Sequence, residues 1–270
     1  MGGHRACPDG KPQVRDAKLQ GDTVTAHNLA QTKGTNGVTP GSLKRHDAVD
    51  ATPRPRTIAV GDIHGHVAAL DAILRVVEPQ PEDTLIFLGD YVDHGPDSRG
   101  VLARLITLRE QCRVVALEGN HDNLMRSVLE GQNDLAAWVH PQWGGGATLD
   151  SYETIDPSEI PDEHVAFLKD LVPFHETDTH LFFHANYAPN RRPQEQDFYT
   201  RAFLPVDQAR APGPHYSGRT VVVGHTPQEF GRVLDLGHLI CIDTGCGYGG
   251  YLTALDVGTG RIWQVSEQGN

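Results

Sequence analysis

Short apolar runs that stop abruptly on glycine and a carboxylate or imidazole set the rhythm of this chain. Thr57 to Val60, Leu85 to Leu88 and Arg113 to Leu117 have strand length and strand composition. Between them, Val67, Leu70, Ile73/Leu74 and Val77 recur at helical spacing, as do Val101, Leu102, Leu105 and Leu108. Pro79 and Pro81 break the chain ahead of the second run, and Pro96 suits the first turn of the following helix. The pattern predicts βαβαβ, followed by a helix over Asn123 to Glu130. It then changes character. Gly144-Gly145-Gly146 predicts a surface loop or helix hairpin within residues 138–150, and Asp162 to Leu171 a short helix stopped by Pro173. Strands are expected at His180 to Phe183, Thr220 to Val223, Leu239 to Ile242, Tyr251 to Leu255 and Arg261 to Val265, the last two joined by a hairpin at Gly258-Thr259-Gly260. Parallel units first and antiparallel strands later predict an α/β fold: one mixed sheet, or two packed sheets with outer helices.

Composition moves the start of that fold well into the chain. Residues 1–56 contain no Phe, Trp, Tyr or Ile, too little apolar surface to offset ordering entropy, and are expected to form a disordered tail ahead of a domain at 57–270. Charge divides at the same place. The tail carries nine Lys/Arg against five Asp/Glu, the domain 14 against 30, with Lys169 its only lysine. Such an acidic domain is a poor electrostatic partner for nucleic acid or an anionic membrane, so neither is an expected partner. No apolar stretch approaches 18 residues, and no secretory apolar region precedes the domain. Cys7, Cys112, Cys241 and Cys246 show no zinc-knuckle or disulfide spacing. Reduced thiols and a cytoplasmic location are the expectation.

The chemistry lies where the strands stop. The first three runs end in Gly61-Asp62-Ile63-His64-Gly65, Gly89-Asp90-Tyr91-Val92-Asp93-His94-Gly95 and Gly119-Asn120-His121-Asp122. Asp62 and Asp90 are 28 positions apart and Asp90 and Asn120 are 30 apart, the length of a βαβ unit. Successive parallel strands would deliver all three blocks to one carboxyl-terminal sheet edge, where open α/β sheets place their sites. Three later runs also end on polar residues, at His184, His225 and Asp243. A lone histidine after a strand is more often a surface or hydrogen-bonded core residue, but six such endings form a pattern. Carboxylates, an amide and imidazoles together suit divalent metals, with manganese, iron and zinc equally admissible.

The order D-x-H, G-D-x-V-D-x-G, G-N-H-D and then single histidines resembles the phosphoprotein phosphatase branch of the calcineurin-like metallophosphoesterases, in its compact bacterial and phage form. The resemblance runs from Thr57 to the end. It implies a β-sandwich of two mixed sheets flanked by helices, with two divalent metal ions, manganese by preference, at the strand ends. It further implies that Asp62 and His64 hold the first metal, that Asp90 bridges both, and that Asn120, His184 and His225 complete the second. A hydroxide bridging the metals would attack phosphorus directly, with His121 as proton donor held by Asp93. The implied reaction is hydrolysis of phosphomonoesters, phosphoserine or phosphothreonine in proteins above all.

Two positions depart from the family: Ala185-Asn186 follows His184 where small glycines are common, a mild change, and the second departure matters more. His94 stands where an arginine usually grips phosphate oxygens, and imidazole is shorter and only partly charged near pH 7. That change implies a weaker enzyme, a different substrate geometry, or compensation by another arginine. Arg191 and Arg201 are the candidates for the phosphate contact beside His94 itself, with Arg192 and Arg219 also in reach by sequence. Two other functions fit the same residues. One is hydrolysis of dinucleoside polyphosphates, which needs an aromatic slot that Trp143, Tyr152 or Tyr187 could furnish. The other is a metal-binding pseudophosphatase, which the complete ligand set and the His121–Asp93 pair weigh against.

Overall fold

The computed structural model describes residues 54–270, and the expected tail lies outside the described residues as far as position 53. The strands are β1 (Thr57–Val60), β2 (Thr84–Phe87), β3 (Arg113–Ala116), β4 (His175–Glu176), β5 (His180–Phe182), β6 (Thr220–Val223), β7 (Leu234–Asp235), β8 (Leu239–Cys241), β9 (Tyr251–Asp256) and β10 (Arg261–Ser266). The α-helices are α1 (Val67–Val77), α2 (Ser98–Leu108), α3 (Asn120–Leu129), α4 (Leu135–Trp138), α5 (Gly145–Ser151), α6 (Asp162–Lys169) and α7 (Phe198–Ala202). None is long and apolar enough to cross a membrane.

The strands form two mixed sheets, ordered β10-β9-β1-β2-β3 and β4-β5-β6-β8-β7. Each has three parallel strands, β1, β2 and β3 running to the edge of one and β5, β6 and β8 at the centre of the other. Antiparallel β9 and β10 extend the first sheet beyond β1, and antiparallel β4 and β7 border the second on its two sides. Alternation along the strands makes the layers. Ile58 and Val60 face the helices, packing with Leu70, Ile73, Leu102 and Leu105. Ala59, Ile86, Leu88, Phe182, Val222 and Ile242 form an apolar layer fed by both sheets. Leu181, Phe183, Val221 and Val223 turn to the far face, where loop residues Tyr187 and Val206 cover them. The expected β-sandwich is therefore present, with its longer helices on the first sheet only.

Local chemistry shifted two boundaries from the sequence expectation and settled the form of the glycine-rich stretch. Helix α2 starts at Ser98 and not at Pro96, because the Asp97 carboxylate accepts the Gly100 N–H at 2.7 Å and caps it. Helix α3 starts at Asn120, three residues early, which puts Asn120, His121 and Asp122 on its first turn, where a helix favours acidic groups. The glycine-rich stretch after Trp138 contains α5, and Gly145 is needed there because a Cβ would strike the Trp138 indole.

Arg56 joins the fold directly. Its backbone N–H reaches Asp83 Oδ1 at 2.8 Å, its Nε and Nη2 reach Asp83 Oδ2 at 3.0 and 2.6 Å, and its Nη1 reaches the Val77 carbonyl at 3.1 Å. Burial alone would raise the Asp83 carboxyl, but the Arg56 guanidinium and the Gln80 and Arg56 N–H groups hold it below the usual range. A depressed carboxyl stabilises the fold above its unfolded pKa and loses that contribution as pH falls through the folded value. Asp83→Asn should therefore cost about 1.5–3 kcal/mol at pH 7, measured by urea unfolding. The gap should close as pH drops below about 4, near the ordinary aspartate value. An undiminished gap under acid would show that the charge is not the source.

Candidate metal centre

Each of the six strand ends with polar termini reaches one rim of the sandwich, and the backbone there is bent to aim side chains inward. His64, Asp90, Asp93, His94 and His225 all adopt left-handed φ, between 47° and 73°. Non-glycine residues hold such geometry only where surrounding contacts fix it, which is characteristic of functional sites. Glycines make the approaches possible. A Cβ on Gly224 would overlap Asp62 Oδ1, and one on Gly119 would overlap Asp90.

Two sets of donors converge. Asp62, His64 and Asp90 place one ligand atom each within 4.8 Å of the others, and so do Asp90, His184 and His225. Asp90 belongs to both sets, and its Oδ2 lies 3.7 Å from His64 Nε2 and 3.4 Å from His184 Nε2. Asn120 belongs with the second set, its Oδ1 3.0 Å from His184 Nε2. The remaining ring nitrogens are fixed by carbonyls. His64 Nδ1 donates to Val92 O at 3.1 Å, His184 Nδ1 to Leu88 O at 2.9 Å, and His225 Nε2 to Phe203 O at 3.0 Å. Such outer bonds orient metal-ligating imidazoles.

The electrostatics call for cations. Asp62, Asp90, Asp122 and Asp243 are all buried here. Burial, then the charges of Asp243 and Asp90, push the Asp62 carboxyl well above its ordinary value. Burial lifts Asp122 and Asp243 to about 7, with the Asp90 charge adding to both. Asp90 is the exception: burial is outweighed by His184 and His121, which keep it ionised. Burial drops His64 to about 3 and His225 to about 4, leaving both as neutral donors. Asp62 Oδ1 is buried without a hydrogen-bond partner, whereas Oδ2 accepts the His225 N–H at 2.9 Å. A carboxylate oxygen left bare among carboxylates fits a divalent cation.

Beside the cluster, His121 Nδ1 donates to Asp93 Oδ2 at 2.9 Å. Asp93 is fully buried and also accepts from Trp138 Nε1 at 3.0 Å and Thr148 Oγ1 at 2.7 Å. Burial opposes charge on His121, but Asp90 and Asp93 raise it to about 9. Trp138 and Thr148 come from α4 and α5, and no periodicity in the sequence singled them out. Asp122 and Asp243 were visible at motif and strand ends, yet their place among the site's carboxylates appears only with the fold.

The phosphate-contact candidates separate. His94 stands against His64, His121 and Tyr248, at ring-centroid distances of 5.2, 5.0 and 5.1 Å. Arg201 on α7 is largely buried, with Nη2 on Glu118 Oε2 at 3.1 Å and Nη1 unpartnered. Arg191 is exposed on a turn, Arg192 pairs with Glu195, and Arg219 pairs with Glu176 at the far end of β6. Of the aromatics, Tyr152 is buried against His164 and Tyr187 against the second sheet, so neither offers an open face. Trp143 does approach the centre, 5.3 Å from the His121 ring. Tyr248, which sequence reasoning passed over, donates its hydroxyl to His94 Nε2 at 3.3 Å.

The chain is similar to several known proteins. Serine/threonine-protein phosphatase 1 of Salmonella typhimurium is 29% identical over 202 residues, covering 72% of this chain and 88% of that protein. The asymmetrical bis(5'-nucleosyl)-tetraphosphatase PrpE of Oceanobacillus iheyensis is 25% identical over 221 residues, covering 72% and 86%. The crystal structure of a candidate diadenosine tetraphosphatase superposes with a TM-score of 0.60 at 25% identity, covering 78% of this chain and 93% of that one. The calcineurin-like phosphoesterase profile matches residues 55–236, which takes in both donor sets, and the chain belongs to that family.

Proposed function

We propose that the chain is a two-metal phosphoesterase that hydrolyses phosphomonoesters, phosphoserine or phosphothreonine in proteins being its substrate. Asp62, His64 and Asp90 would hold one divalent ion, and Asp90, Asn120, His184 and His225 the other. Bound there, two such ions polarise a phosphoryl group and lower the pKa of a coordinated water, manganese being the expected metal. The observation that carries the reading is the buried His121–Asp93 pair. With Nδ1 committed to Asp93, His121 keeps Nε2 for the substrate and can protonate a departing alkoxide, which leaves poorly without a proton. Trp138 and Thr148 hold the Asp93 carboxylate in place, and through it the imidazole. Arg201, with one guanidinium nitrogen unpartnered, and His94 would steady the phosphate oxygens. Arg191 is retained as a third contact only if its exposed turn folds inward on substrate.

A second substrate class, the dinucleoside polyphosphates, is favoured by one feature. A cavity of about 560 Å³ opens beside Tyr248, lined also by Phe230, Tyr251, Gln228 and Glu229. Exposed aromatic faces of this kind stack on planar rings such as a nucleobase.

Leaving-group chemistry tests the proton donor. His121→Asn should slow release from a phosphoserine peptide by about 10²–10⁴-fold, while p-nitrophenyl phosphate, whose phenolate leaves unaided, should be affected far less. Equal losses on both would remove His121 from that role. Asp90→Asn should abolish turnover of every substrate and lower manganese stoichiometry by dialysis, and retained activity would defeat the two-metal reading. Tyr248→Ala separates the substrate classes. It should leave the phosphopeptide KM within about threefold; a rise of tenfold or more for diadenosine tetraphosphate, turned over as fast as peptide by the parent, would move the chain to the second class.

A further inference from the structure

Three imidazoles meet at the mouth of the centre in a nearly equilateral triangle. Ring centroids stand 5.2 Å apart for His64 and His94, 4.9 Å for His64 and His121, and 5.0 Å for His94 and His121. One nitrogen of each lies within 4.8 Å of the other two. His64 and His121 are each fixed through Nδ1, on Val92 O and Asp93, which leaves Nε2 free on both. His94 is half-buried, and the only side-chain hydrogen bond it makes among the described residues is the 3.3 Å contact with the Tyr248 hydroxyl. It is the ring with room to turn.

We propose that His64, His94 and His121 form a zinc site, mutually exclusive with the Asp62–His64–Asp90 set because both require His64 Nε2. Three imidazoles with a fourth position open are a donor set that zinc accepts, at about 2.0–2.1 Å per nitrogen, with His121 giving up its Nε2 proton as the metal binds. Tetrahedral geometry at that bond length brings the nitrogens to about 3.4 Å from one another, a contraction that takes rotation of His94 and a closer approach of the His64 and His121 rings, which now stand 4.9 Å apart. An all-nitrogen set discriminates against manganese and magnesium, which prefer oxygen. Zinc held by the triad withdraws His121 from proton delivery and His64 from the carboxylate set, so the loaded triad shuts the centre. That consequence rests on the proposed function, whereas the coordination does not. Histidine at position 94 thus makes the centre zinc-sensitive, which an arginine there could not do.

Ion counts on dialysed full-length protein test the site, by mass spectrometry of the metals. Asp62→Asn relieves a crowded carboxylate, and His94→Asn keeps a residue that tolerates left-handed backbone. The Asp62→Asn protein should hold two zinc ions, one on the triad and one on Asp90, His184 and His225. Adding His94→Asn, or His94→Arg, should reduce that to one. The manganese count of Asp62→Asn should be one whatever occupies position 94. Equal zinc counts with and without the His94 change would overturn the proposal, provided both proteins give the same far-ultraviolet circular dichroism. Zinc should also suppress the manganese-loaded parent, and His94→Asn should need at least tenfold more zinc for the same fractional loss. A parent that fails to bind manganese while the zinc difference persists would overturn the proposed function and leave the triad standing.

Discussion

The Asp122 carboxylate holds the centre together. It accepts the backbone N–H groups of Asp90 at 2.7 Å, Tyr91 at 2.9 Å and Gly119 at 3.0 Å. These bonds tie the turn after β2 to the first turn of α3, so that Asp90 and His121 keep a fixed relation. Asp90 sits at φ 52°, a conformation that costs an aspartate of order 1–3 kcal/mol. Each such hydrogen bond returns about 0.5–1.5 kcal/mol even to a neutral acceptor, and three of them together offset that strain. Metal ligands from separate strands can share a bridging carboxylate only if its turn does not wander.

The centre also lies on the seam between the two sheets. The first sheet supplies Asp62, Asp90 and Asn120, and the second supplies His184, His225 and Asp243. Hydrogen bonds cross the seam among the donors, His184 Nδ1 to Leu88 O, His184 Nε2 with Asn120 Oδ1 and His225 N–H to Asp62 Oδ2. Beneath them the shared apolar layer of Ile86, Leu88, Phe182, Val222 and Ile242 sets the spacing of the sheets. Core packing and ligand geometry are therefore coupled, and a repacked layer would move one donor set against the other. Four buried carboxylates at this seam oppose folding on their own. Divalent cations would turn that repulsion into cross-sheet attraction.

The strand ends could be read from the sequence because each joins two strong local patterns, an apolar run and a glycine-flanked polar block. Helices α1 and α2 followed from their apolar stripes for the same reason. The support around Asp93 could not be found that way. Trp138 and Thr148 belong to short helices in a glycine-rich stretch, and only the tertiary fold brings them to a carboxylate some 45 and 55 positions earlier. Two-residue strands such as β4 and β7 have no periodicity to detect. Exposure divided the arginines: Arg201 and Arg191 look alike in the sequence, but only Arg201 is carried by a helix, paired with Glu118 and buried.

The central claim is a two-ion centre that spans the sheet seam and shares Asp90. Anomalous diffraction from a manganese-soaked crystal, recorded at the manganese absorption edge, tests it most directly. Two peaks are expected, one among Asp62, His64 and Asp90 and one among Asp90, Asn120, His184 and His225, with Asp90 common to both. A single peak, or two peaks with Asp90 bound to neither, would contradict the account.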